Sequence, residues 1–120
     1  MSPARIYRLA RVVSAVVLAA TAVWHVVLVV RHDGDAARHG LFVVVNLALA
    51  ALLVLRHRWA FYPTLALTAQ QLASHGLDLS RSFTGDGGLD WASLAVCLFF
   101  PTLATVLFME RSEEADARAR

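Results

Sequence analysis

Long apolar runs separated by short polar joints constrain this chain more than any other feature of its sequence. Val, Leu, Ala and Phe fill four stretches with few charged residues inside them, and Gly, Asp, His and Arg gather in the gaps. With 120 residues, 58% of them hydrophobic and only 17% charged, the chain carries more apolar surface than one water-soluble core can bury. The pattern belongs to helices that face lipid.

The spacing predicts spans over about 12–30, 41–55, 59–77 and 89–109, with a polar tail over 110–120. At 1.5 Å per residue the first rises roughly 28 Å, enough to cross the hydrocarbon layer. Arg5, Arg8 and Arg11 ahead of Val12, followed by Ala20-Thr21-Ala22, also fit a cleavable leader. The apolar run continues through Val30, so a retained span is expected. The second is the shortest, at roughly 22 Å, and needs Gly40, His39 and a snorkelling Arg56 to complete a crossing. Trp24, Trp59, Tyr62 and Trp91 fall near span ends, where amphipathic rings settle.

The joints, Arg31 to His39, Arg56-His57-Arg58 and Asp78 to Gly88, are too short to link distant elements. The expected fold is therefore all-α, an antiparallel up-down-up-down bundle of four transmembrane helices in a single domain, residues 1–109. The tail is too polar to bury and is expected to be a frayed helix in water.

Orientation follows from the arginines, which account for all eleven basic residues. Arg5, Arg8, Arg11, Arg56, Arg58, Arg111, Arg118 and Arg120 lie on one side of this topology, against Arg31, Arg38 and Arg81 on the other. The positive-inside bias puts both termini in the cytoplasm of a multi-pass protein, in a bacterial inner membrane. Asp78, Asp86 and Asp90 make the second outer joint acidic. The pI near 9.3 does not imply nucleic acid, because no basic stripe with interleaved aromatics is present.

Counting inward from the outer ends of the spans places His25, Asn46, Gln71, His75 and Cys97 in one layer, roughly 3 to 10 Å deep. Thr64, Thr68, Gln71, His75 and Asp78 follow steps of four and three, which puts them on one helical stripe. Ser14, Leu18, Thr21, His25 and His32 keep the same rhythm on the first span, beside small residues at Ala15, Ala19 and Ala22. Pro101 removes the helical donor to the carbonyl of Cys97.

Two neutral imidazoles on facing helices can ligate a haem b iron. With Asp78 they can instead hold a transition metal, which makes His25, His75 and Asp78 the candidate metal ligands. Gln71, one turn before His75, can orient that ring or hydrogen-bond a quinone-like carbonyl. The expected function is a small membrane protein whose outward-facing His/Gln pocket binds a haem, metal or quinone-like ligand. The alternatives are a structural subunit whose polar layer only fixes helix register, and an enzyme on a lipid-soluble substrate with His75 as base assisted by Asp78. The expected partners are the lipid bilayer and a second copy or larger membrane complex.

Other features are read as bland. His25, His32 and His39 stand seven residues apart, but Asp33-Gly34-Asp35 breaks the helix between the last two, so the equal steps read as coincidence. His32, His39, Asp33 and Asp35 read as a solvated loop, and His57 as a headgroup contact. Cys97, the only cysteine, excludes a disulfide or thiolate cage within the chain and reads as a small filler. No haem-attachment motif, phosphate loop, His-Glu-x-x-His or mid-span acid is present. No Ser-His-Asp arrangement is expected, since Thr64 and Thr68 lie too deep to reach His75.

Overall fold

The computed structural model describes residues 2–85 and 87–119. Asp86 of the acidic joint and Arg120 of the inner arginines lie outside the described residues. The described chain is helical, in the order α1 (Pro3–Val30), α2 (Ala36–Val54), a single 3-10 turn (Arg58–Ala60), α3 (Phe61–Thr84) and α4 (Trp91–Ala119). It divides into two units, one ending at Ala60 and one beginning at Phe61. In the first, α1 packs on α2; in the second, α3 packs on α4.

Helix α1 begins with Pro3 in its first turn, where a missing N–H costs nothing and the fixed φ suits the helix. Its buried positions are Tyr7, Arg11, Ser14, Ala15, Leu18 and Ala22, while Val12, Val13, Val16, Val23 and Val26 are exposed. This reverses a soluble amphipathic helix: the covered side holds small and polar residues and the open side is apolar. Of the sequence-read stripe, Ser14 and Leu18 are buried. Thr21 is exposed, and its hydroxyl bonds back to the carbonyl of Val17 at 2.9 Å.

Both helices of the first unit stop in the same way. After α1 the N–H of His32 reaches the carbonyl of Val29 and that of Asp33 reaches Leu28, with His32 at φ 57°. After α2, Arg56 bonds Leu53 and His57 bonds Leu52, with Arg56 at φ 52°. These are Schellman ends in which a non-glycine residue occupies the left-handed position. Asp35 then starts α2 as its N-cap, its Oδ1 accepting from the N–H of Ala37 at 2.9 Å and of Arg38 at 3.3 Å.

That cap explains the first departure from the sequence reading. Helix α2 begins at Ala36, not Leu41, so its 19 residues span roughly 28 Å. Helices α1, α2 and α4 are each long and apolar enough to cross a membrane. Helix α3 is not among them, although the sequence reading treated the second span as the weakest. Its 24 residues include Gln70, Gln71, Ser74, His75, Asp78 and Arg81, and it runs seven residues past the expected end at Leu77.

The predicted stripe on α3 is graded. Thr64, Thr68 and Gln71 are buried, His75 is half-buried and Asp78 is exposed. Thr68 donates its hydroxyl to the carbonyl of Thr64 at 2.8 Å and across to that of Phe100 on α4 at 3.2 Å. Helix α4 passes through Pro101 and continues to Ala119, ten residues beyond Met109, so the described part of the tail is helical. Arg111 holds this part of α4 to the start of α3. Its guanidinium lies 5.1 Å from the Phe61 ring and 4.9 Å from the Tyr62 ring, and its Nη2 donates to the Tyr62 hydroxyl at 3.3 Å.

A left-handed L-residue costs roughly 1–2 kcal/mol over one without a Cβ, offset in part by the extra freedom glycine gives the unfolded chain. His32→Gly is therefore expected to stabilise the first unit by up to about 1 kcal/mol. The check is the thermal unfolding midpoint in detergent, which should rise.

Candidate polar sites in the two helix pairs

In the first unit His25 of α1 and His39 of α2 face each other, with their Nδ1 atoms 3.0 Å apart. His25 lies five residues before the end of α1, and His39 is the fourth residue of α2. Both rings are half-buried. Phe42, almost one turn after His39, stacks on His25 with ring centres 5.2 Å apart and planes 15° apart. Gly34, at φ +83°, lies so close that a Cβ there would stand 3.0 Å from His39 Nε2. His39 therefore belongs to the helix pairing and not to a solvated loop, which corrects the sequence reading. His25 and His39 are joined through the extended start of α2, while His32, midway between them, is exposed.

In the second unit His75 of α3 meets Ser93 of α4, Nδ1 to Oγ, at 3.0 Å. Ser93 is only 2% exposed. Its Oγ–H donates to Asp90 Oδ2 at 2.6 Å, and its backbone N–H donates to Asp90 Oδ1 at 3.0 Å. Asp90 is thus the N-cap of α4. Because the serine proton is committed to the carboxylate, the serine oxygen is left to accept, and the donor must be His75 Nδ1–H. The tautomer follows: Nε2 of His75 carries the lone pair.

This chain corrects the expectation that no Ser, His and Asp could meet. Their order is nevertheless wrong for a nucleophile relay, where the histidine stands between the other two and takes the serine proton. Here the serine stands in the middle and the carboxylate orients the ring through it. Such carboxylate-backed rings are the usual surroundings of a histidine that ligates a metal or accepts a proton through its other nitrogen.

Two further predicted residues are buried amides. Asn46 in the first unit is 4% exposed and Gln71 in the second 7%. Neither side chain forms a hydrogen bond among the described residues. Neither is among the fully enclosed polar groups without a partner, so each amide keeps an open edge beside its helix interface. Cys97 is a half-buried free thiol. Asp78 points away from this role: its side chain is 53% exposed and its carboxylate lies 3.6 Å from Arg81. Among the described residues, no three His, Cys, Asp or Glu side chains gather closely enough to hold a metal ion. His57 serves the turn after α2, its Nδ1 accepting from the N–H of Trp59 at 3.3 Å.

Sequence reasoning missed Ser93, Asp90 and His39. A signal for the first two was present, since Asp90-Trp91-Ala92-Ser93 ahead of an apolar run is a capping pattern. Starting the second helix at the Asp35 cap would have placed His39 at nearly the depth of His25. Compared with protein families, curated proteins and solved structures, the chain finds no match in any of the three.

The two bonds from Ser93, first its hydroxyl and then its N–H, hold the Asp90 carboxyl below its ordinary value of 3.8. A depressed carboxyl contributes stability that is complete above the unfolded value and is lost as pH falls through the folded one. Asn caps a helix as well as Asp but does not titrate. Asp90→Asn is therefore expected to remove part of the fall in thermal midpoint that the wild-type chain should show on acidification below about pH 3.8. Parallel acid titrations followed by circular dichroism would check this.

Proposed function

We propose that this chain is a small multi-pass membrane protein with an outward-facing polar site in its second helix pair, built on Gln71, His75 and Cys97. The site binds a lipid-soluble ligand that carries its own polar head, a haem or a quinone-like molecule. The observation that carries this reading is the fixed His75 ring, whose Nδ1–H is held by Ser93 and backed by Asp90. That arrangement leaves Nε2 to ligate an iron or accept a proton. The Gln71 amide, one turn before His75, supplies a further polar point. A closed protein-only metal cage is disfavoured, because no third ligand joins any pair of candidate groups among the described residues.

The membrane arrangement belongs to the same proposal. Four spans run up, down, up and down in a bacterial inner membrane, with both termini cytoplasmic. Three helices qualify by length and composition. For α3 the support is its length, roughly 36 Å, and the burial of Thr64, Thr68 and Gln71 on its polar side. The arginine bias supports the orientation.

A second reading, a structural subunit of a larger complex with no ligand of its own, is favoured by one observation. His25 and His75 already have interhelical partners, His39 and Ser93, as hydrogen-bond glue would require.

One preparation separates the two. The full chain, without a tag and in mild detergent, is examined by absorption spectroscopy and by solvent extraction for bound quinones. A Soret band or a stoichiometric quinone is expected, lost in His75→Ala and weakened about 10–100-fold in Ser93→Ala, where only the support of the ring is removed. A colourless, quinone-free protein whose His75→Ala variant changes only in thermal stability would establish the structural reading.

A further inference from the structure

The His25–His39 contact carries chemistry of its own. Two imidazole nitrogens bound to one ion at about 2.0–2.1 Å stand about 2.9 Å apart at a right angle, and about 3.3 Å apart at the tetrahedral angle. The observed Nδ1 to Nδ1 separation is 3.0 Å. The His25 ring is held in that register by a group that does not titrate: Phe42 lies flat against it. Gly34 leaves space beside His39, where a Cβ would stand 3.0 Å from Nε2. The Nδ1 edge of His39 is the one turned to His25.

We propose that His25 and His39 form a two-histidine site for a divalent transition metal of the copper class, held through both Nδ1 atoms. The near-right-angle separation suits a tetragonal ion with nitrogen ligands, and copper(II) leads the divalent series in affinity for such donors. In the metal-free pair one Nδ1 carries the proton that makes the hydrogen bond. On binding, that proton moves to Nε2 of the same ring, so both imidazoles stay neutral and the lone pairs converge on the ion. Among the described residues no third His, Cys, Asp or Glu joins the pair, so water or a small exogenous ligand completes the coordination and the ion exchanges readily. The site lies wholly within the first unit and does not depend on any ligand at His75.

The test titrates copper(II) ion into the full tag-free chain in mild detergent, followed by equilibrium dialysis and electron paramagnetic resonance. One saturating equivalent with nitrogen hyperfine structure is expected. A triple variant, His32→Gln, His57→Gln and His75→Gln, leaves only the proposed pair and is expected to keep both stoichiometry and spectrum. His39→Gln, with helical content checked by circular dichroism, is expected to weaken binding by at least about 100-fold. Absence of saturable binding by the wild-type chain overturns the proposal, as does loss of the nitrogen signature in the triple variant or wild-type affinity in a folded His39→Gln. A colourless protein that binds copper in this way would keep the two-histidine site and drop the haem version of the proposed function.

Discussion

The structure depends on how costly an unpaired polar group is among apolar helices. In a chain whose exposed surface is largely Val, Leu and aromatic side chains, helices gain little by hiding apolar residues from one another. Their pairing is instead specified where small residues allow close approach and polar side chains find partners across the interface. The first unit uses His25 with His39. The second uses Thr68 with the Phe100 carbonyl and His75 with Ser93. Interhelical bonds of this kind contribute about 0.6 kcal/mol each on average. They act more as choosers of register than as the bulk of stability.

The helices were legible because their signals are local. An apolar run ending at Val30, the Asp33-Gly34-Asp35 break and the Arg56-His57-Arg58 turn all appear as read. The lengths were misjudged where hydropathy and helicity part company. Residues 36–40 hold Arg38, His39 and Gly40 yet are helical because Asp35 caps them, and residues 78–84 and 110–119 extend their helices as mostly exposed turns. Hydropathy reports what lipid will accept, whereas capping and propensity decide where the backbone hydrogen bonds stop. The same distinction explains α3, whose stripe was read correctly as one polar face but whose composition falls short of a lipid-facing span.

The candidate residues were partly legible. Depth counting placed His25, Asn46, Gln71, His75 and Cys97 in one layer; Asn46 and Gln71 are buried, and His25, His75 and Cys97 are half-buried. What it could not reveal was pairing, since a count along one helix fixes height but not the neighbour opposite. Ser93 is a small hydroxyl two residues past the start of α4, with no weight in a hydropathy profile. It nevertheless decides the protonation of His75 through the proton it gives to Asp90. Asp78 sits on the same stripe as His75, yet the stripe has turned to the exposed side there and its carboxylate is engaged by Arg81.

Asp90, acting through Ser93, fixes His75 as the Nδ1–H tautomer. Long-range nitrogen–proton correlation spectra of the 15N-histidine-labelled chain in micelles read this tautomer. His75 in the wild-type protein is expected to carry its proton on Nδ1, with a mixture of tautomers once Ser93 is replaced by Ala. A wild-type His75 protonated on Nε2, unchanged in the Ser93→Ala variant, would contradict it.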